Sequence, residues 1–491
     1  MHDCFHYITM TTRLAVWSAV LSAATVAAAR VVTYPAPHGE PLSQDYTLEV
    51  NGEPVAIYLA KLADVQNPPP WALKPGQLGG PYSFAYFDFS GSVTLKITSL
   101  KKPLDKLVIR PSYGIRPVVQ GNTVTFTLDQ PRKISIEPDG VREPLLVFAN
   151  PLEIDPPRKG DPGVIYYGPG IHKPVNIKVS SGQTLYLAGG AIVKGGVAVS
   201  GRNVKIRGRG ILCGNDWPWR KGPGRLLGMN DAVNVSVEGI ILRGAWSWTL
   251  PIYNCHSVNI TNVKICGGRN PNDDGINPCN SQHVVIRDCF IRTDDDCIAI
   301  KGIKFGTAND NVEHILVEDC LLWCDRARVF LLGHEGRAPF MRHIVLRNLD
   351  ILHFNMTPFL FEPGEEMCIE DVLVENVRLN ATKGGGPKQI YRNLIALHPV
   401  VNQYMRNKVP GRIKNITFRN VTLAGQQEQN GYSVWVKGAD ATHTVTDVIF
   451  DNVTWFGRVL EQNDPQVRIE ANTENIRFVP PGHRSGPAAR P

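Results

Sequence analysis

A short pattern, hydrophobic-x-hydrophobic-x-Asn/Asp/Gly-apolar, recurs along the chain with starts at Val204, Val235, Val258, Val284, Ile315, Ile344, Val372, Ile416 and Val448. Typical copies are Val258-Asn259-Ile260-Thr261-Asn262-Val263 and Val372-Leu373-Val374-Glu375-Asn376-Val377. Most spacings fall between 23 and 32 residues; one of 44 points to an insertion over 383–409. Alternation with a period of two marks a strand with one inward face. One such unit cannot bury its apolar face alone, so neighbouring copies must do it for each other. A strand-rich repeat of this length therefore predicts a solenoid of stacked β coils. Where asparagine closes the strand, it is placed to hydrogen-bond up the stack. Neither the leucine spacing of a leucine-rich repeat nor the four strands per unit of a propeller is present. The acceptor-like triplets Asn259-Ile260-Thr261 and Asn415-Ile416-Thr417 read as turns feeding repeat strands.

The chain before the repeat has a different style. Alternating segments such as Tyr46-Thr47-Leu48-Glu49-Val50, Ser92-Val93-Thr94-Leu95-Lys96-Ile97 and Val124-Thr125-Phe126-Thr127-Leu128 are bounded by turn signals. Short strands at hairpin spacing predict an antiparallel β-sandwich over residues 30–154. Asp88, in Phe87-Asp88-Phe89, reads as a strand or turn residue with no catalytic company. The proline- and glycine-rich stretch 155–163 reads as a linker, residues 164–479 as the β-helix, and 480–491 as a disordered tail. Residues 1–29 read as an export signal: Arg13 precedes the apolar run 14–26, and Ala27-Ala28-Ala29 offers a cleavage site. The run is too short to span a bilayer. A secreted or periplasmic protein, with no membrane partner and monomeric, is expected.

Among 491 residues, 45 glycines, 37 prolines and a charged fraction of 20% suit a turn-rich β protein rather than a helical or disordered one. A net charge of +7 permits an acidic substrate, and the lack of any lysine/arginine run argues against nucleic acid. Of ten cysteines, Cys4 lies in the leader, and the odd nine that remain carry no zinc-like pairing, so buried thiols are expected. No cofactor and no metal is assigned.

The chemistry concentrates in 272–301. Asn272-Asp273-Asp274-Gly275-Ile276 opens the stretch, and Asp294-Asp295-Asp296-Cys297-Ile298-Ala299-Ile300-Lys301 closes it. If the chain coils once in between, Asp274 and Asp295, 21 residues apart, face one groove. Paired carboxylates on a rigid strand surface are what hydrolysis of a glycosidic bond needs. Crowding of like charges would raise at least one pKa, as a general acid requires. Clustered carboxylates also suit calcium or turn capping, which is the bland alternative.

These residues resemble the signature of glycoside hydrolase family 28, the polygalacturonases and rhamnogalacturonases: Asn-x-Asp-Gly, then about one coil later Asp-Asp-Cys-hydrophobic-Ala-hydrophobic. The turn 246–255, beginning Trp246-Ser247-Trp248, is similar to that family's Trp-containing rung, and a sandwich ahead of the solenoid is more like family 49, the dextranases and isopullulanases. The resemblance covers roughly 166–455 and implies a right-handed parallel β-helix with a polysaccharide or oligosaccharide substrate. It implies that Asp295 is the general acid and that Asp274 and Asp296 activate water. Asn272, Trp248, Lys301, Arg326, His334 and Glu335 become candidate substrate-binding residues. Two departures stand out. The family's Gly-His-Gly has a counterpart in Gly333-His334-Glu335-Gly336, yet alignment by the repeat puts its histidine nearer Arg326. The family's Arg-Ile-Lys occurs only at Arg412-Ile413-Lys414, far downstream, whereas the aligned position is Phe359-Leu360-Phe361. Arg326, Arg328, Lys301 and Lys304 are the other candidate cations, and Trp217, Trp219, Trp246, Trp248 and Trp323 the pool for stacking on sugar. The leading expectation is a secreted inverting glycosidase acting on pectic polysaccharide or a neutral glucan. A polysaccharide lyase and a non-catalytic carbohydrate-binding β-helix are the other readings.

Overall fold

A computed structural model describes residues 29–60, 82–267, 270–303, 311–381, 393–426 and 433–482. The proposed leader, Lys304 and most of the tail lie outside these. From Val164–Tyr167 to Thr473–Val479 the chain winds as a 27-stranded sheet whose pairings are parallel, apart from the short Arg458–Val459 return. This is the parallel β-helix that the repeat predicts.

The nine repeat starts stack in direct register. Val204 pairs with Val235, Val235 with Val258, Val258 with Val284 and Val284 with Ile315. The column continues through Ile344, Val372, Ile416 and Val448 to Ile476. All nine starts are at most 2% exposed and lie in one continuous apolar core. The 44-residue interval leaves this register intact, since Val372 still pairs with Ile416.

Two left-handed corners bracket each repeat strand. The residue before the start is Asn203, Asn234, Ser257, His283, His314, His343, Asp371, Asn415 or Asp447, with φ between 54° and 59°. The residue closing the strand forms the expected asparagine ladder. Asn376 Nδ2 donates to Asn348 Oδ1 at 3.3 Å, Asn420 to Asn376 at 3.0 Å and Asn452 to Asn420 at 2.9 Å. Asparagine suits both needs: it tolerates positive φ and carries a donor and an acceptor for the rungs on either side. Asn415 bonds Asp371 at 2.5 Å in the same way. Eight of the nine described cysteines are buried and all are free thiols.

Two further sheets precede the solenoid and share one apolar core. One is antiparallel throughout, built on Tyr46–Val50, Val93–Ser99 and Thr123–Leu128. The other departs from that pattern at one place: Leu145–Pro151 runs parallel to Tyr82–Ser90. Tyr82–Ser90 is buried on both faces. Ala85, Phe87 and Phe89 enter the core between the two sheets, while Tyr82, Phe84 and Tyr86 pack on the solenoid beside Ile211, Ile241 and Phe290. Burial on both faces explains why this strand is almost continuously apolar.

Asp88 belongs to the solenoid-facing set. Its carboxylate takes two hydrogen bonds from Arg209 Nε, at 3.0 and 2.8 Å, and the pair is 1% and 2% exposed. The role read from sequence, a strand residue, understates it: Asp88 neutralises a guanidinium sealed between sheet and solenoid. Removing one partner of such a pair leaves an uncompensated buried charge, at a cost of about 3–5 kcal/mol. Asp88→Ala is expected to lower the urea midpoint accordingly, and adding Arg209→Met to recover most of the loss. A single variant with an unchanged midpoint would remove this pair from the account of the interface.

Candidate active site

One face of the solenoid carries the strands Leu250–Tyr253, Ile276–Cys279, Ile298–Ile300, Phe330–Gly333 and Phe359–Glu362, paired in that order. Ile276 sits against Ile298, so the offset between these coils is 22 residues and Asp274 stacks on Asp296 rather than on Asp295. The peptide N–H of Gly275 donates to the Asp296 carbonyl at 2.9 Å. A Cβ on Gly275 would lie 2.4 Å from the Cys297 carbonyl oxygen, so nothing larger than glycine lets the two acidic turns approach. The next coil places Arg328 over Asp296: the Arg328 N–H donates to Asp296 Oδ1 at 3.1 Å, and Arg328 Nε lies 3.1 Å from the same oxygen.

Asp273 has a structural task that its place in the motif did not reveal. Its Oδ1 accepts the peptide N–H groups of Asp294 and Asp295, at 2.9 and 3.0 Å, and so holds the second acidic turn in shape. Burial, then the charge of Asp294, pushes its carboxyl well above the ordinary range.

Asp274, Asp295 and Asp296 line one cavity of about 1310 Å³, together with Asn272, Trp248, Lys301, Arg326, His334 and Glu335. The three candidate catalytic aspartates and the six candidate substrate-binding residues are therefore all on its wall. Asn272 accepts from Arg220 at 2.9 Å. Lys301 Nζ lies 2.7 Å from Glu335 Oε2, 3.8 Å from Asp274 Oδ2 and 4.2 Å from the centre of the Trp248 ring. Arg326 donates to Asp295 Oδ2 at 2.7 Å. As the repeat alignment implies, Arg326 precedes the strand Phe330–Gly333 and His334 follows it; His334 Nδ1 pairs with Glu362 at 2.7 Å. Arg412 and Lys414 are engaged on another face with Glu366 and Glu370 and do not line the cavity. Of the tryptophans, Trp219, Trp246 and Trp248 line the cavity, Trp246 while almost wholly buried. Trp323 is buried where the N-terminal sheet meets the solenoid, and Trp217 packs on Trp246.

The cavity also contains residues that sequence reasoning missed. Arg225 donates to Ser247 Oγ at 2.7 Å and faces the Trp248 ring. Gln403 and Tyr404 arrive from the insertion, whose presence the long spacing announced but whose destination it could not. Tyr404 packs on His334 with ring centres 5.3 Å apart.

The three carboxyls differ in proton affinity. Burial, reinforced by Asp295 and Asp296 and opposed by Lys301 and by the 2.8 Å bond from Asn277, raises Asp274 well above the usual carboxylate range. Burial also raises Asp296, with Arg328 working against it. For Asp295 burial acts in the same upward sense, but Arg326, Arg328 and Lys301 outweigh it and hold the group below its ordinary value. Asp274 Oδ1 has no hydrogen-bond partner among the described residues.

A folded-state pKa above the unfolded value means that rising pH costs stability, from the ordinary carboxyl range up to the raised value. Asparagine at position 274 cannot ionise and escapes that loss. Asp274→Asn is therefore expected to raise Tm relative to the parent chain by more at pH 7 than at pH 4, as read by calorimetry. Equal shifts at both values would refute the raised proton affinity.

With this geometry in place, comparison with known proteins is informative. Residues 182–317 match the model for Glycosyl hydrolases family 28 and contain all three aspartates. Polygalacturonase QRT2 of Arabidopsis thaliana is 31% identical over 274 residues, covering 46% of this chain and 59% of that protein. Rhamnogalacturonase A of Aspergillus niger is 27% identical over 152 residues, 31% of this chain and 32% of that one. The chain thus spans between a third and three fifths of these relatives' length. Among solved structures, Dex49A from Penicillium minioluteum superposes with a TM-score of 0.64 over 91% of this chain and 96% of that one, at 16% identity, a likeness of fold. Through the coils that carry Asp274, Asp295 and Asp296, the chain is similar to glycosyl hydrolases family 28.

Proposed function

We propose that the protein is an inverting O-glycosidase that cleaves a polysaccharide by single displacement at Asp274, Asp295 and Asp296. The observation that carries this reading is the convergence of three carboxyls from adjacent coils on one cavity wall. Inversion needs one carboxylic acid to protonate the leaving oxygen and one carboxylate to activate water. The family resemblance gives the acid role to Asp295 and the water to Asp274 and Asp296. On that assignment Arg326 must release Asp295 as sugar enters. The electrostatics of the free site favour the converse, in which Asp274 keeps the proton and Asp295 stays ionised.

Asn272, Trp248, Lys301, Arg326, His334 and Glu335 then hold the sugar, with Trp219 and Trp248 offering ring surface. A pectic substrate is supported by Arg220 and Arg225, which line the cavity, hydrogen-bond the neutral side chains of Asn272 and Ser247 and form no ion pair among the described residues. The names of the two relatives, a polygalacturonase and a rhamnogalacturonase, point the same way. We further read the two N-terminal sheets as a β-sandwich domain over 30–154, joined by 155–163 to a catalytic solenoid over 164–479. We read the winding as right-handed, the sense that parallel crossovers take. The protein acts as a secreted monomer; among the described residues no helix is long and apolar enough to cross a membrane.

A reducing-end assay over polygalacturonate, rhamnogalacturonan, dextran and pullulan, with the first anomer read by NMR, tests the reaction and separates a pectic from a neutral substrate. Each of Asp274→Asn, Asp295→Asn and Asp296→Asn should lose about 10²–10⁴-fold in kcat. A glycosyl fluoride assigns the acid, because fluoride leaves without protonation: the variant lacking only the acid keeps its rate on that substrate. Unchanged activity in all three variants, or an unsaturated product absorbing in the ultraviolet, would sink the hydrolase reading.

A further inference from the structure

Away from the cavity, the left-handed corner that precedes each repeat strand holds histidine on three consecutive coils: His283, His314 and His343, with φ of 55°, 56° and 55°. Their rings stack, 4.6 Å apart between His283 and His314 and 4.8 Å between His314 and His343. His256 extends the row at 4.7 Å. Glu313 flanks His314, and one ligand atom from each of Glu313, His314 and His343 lies within 4.8 Å of the others. Glu313 engages Arg342 through Oε2 at 2.9 Å, and its carboxylate carries a second oxygen. None of these residues lines the cavity.

We infer that Glu313, His314 and His343 form a binding site for a borderline divalent cation of the zinc–copper type. The donor set decides the class. Two imidazoles and one carboxylate suit zinc, copper(II) or nickel, whereas calcium and magnesium take oxygen ligands. Three protein ligands leave room for water to complete the coordination. The backbone is already in place, because the register of the sheet fixes both corners on adjacent rungs. Two ligands about 2.0–2.1 Å from one ion lie about 3.3 Å apart, so side-chain rotation alone closes the gap.

The corner supplies its own conservative substitution. Asparagine occupies it at Asn203, Asn234, Asn415 and Asn475 with the same φ, so histidine can be replaced there without strain on the backbone. The full chain, made without a polyhistidine tag, is titrated with zinc chloride in a non-chelating buffer by calorimetry. The expected result is one saturable site with a micromolar Kd that weakens tenfold or more in the His314→Asn/His343→Asn double variant. His256→Asn should bind like the parent. Zinc should raise the Tm of the parent and not of the double variant, whose Tm in EDTA reports that it is folded. Copper(II) should show nitrogen hyperfine structure in electron paramagnetic resonance that the double variant loses. Absence of saturable binding to the parent, or weakening of less than tenfold in the double variant, overturns the assignment.

Discussion

Register between parallel coils is the constraint on which the rest of this molecule depends. Neighbouring strands sit about 4.8 Å apart, and a shift of one residue would turn every inward side chain outward. Here the register is held at both ends of each repeat strand by residues in the left-handed conformation, many of them tied to the coil above or below. Because that backbone is rigid, residues one coil apart in sequence become neighbours in space. The acidic turns at 272–275 and 294–297 meet for this reason, and Gly275 lets them meet closely.

The consequence of that meeting is electrostatic. Three carboxylates drawn out of water on adjacent rungs cannot all stay ionised at ordinary cost, so the site distributes cations unevenly among them. Arg326 and Arg328 lie on the side of Asp295 and Asp296, while among the described residues Asp274 has the more distant Lys301 and the amide of Asn277 beside it. Glu335 takes much of the charge of Lys301. The result is a graded set of proton affinities from three chemically identical side chains, the condition under which carboxyl groups divide acid and base roles.

The N-terminal sheets are tied to the solenoid by more than apolar contact. Arg209 with Asp88 and Arg243 with Glu40 are buried ion pairs across that interface, and Arg292 lies between the rings of Tyr82 and Trp323 while bonding Asp325. Buried pairs of this kind add little net stability compared with apolar packing but penalise any misplacement severely. They make the docking of the two parts specific.

Much of this was legible in the chain itself. The nine repeat starts, the asparagine ladder and the acidic pair at one coil's spacing all derive from local periodicity and the tolerance of asparagine for positive φ. The sequence could not say that Asp274 stacks on Asp296 rather than Asp295, because a coil's length in residues depends on how its loops turn. Nor could it show that Asp273 braces the second turn, that Asp88 neutralises Arg209, or that an insertion near 400 brings Tyr404 to the cavity. Those outcomes depend on partners tens to more than a hundred residues away, and no local pattern encodes such distances. Sequence alone determined the coil and the residue types that face outward from it; only the tertiary structure decided which charges lie beside which, since burial and proximity set every proton affinity in the site.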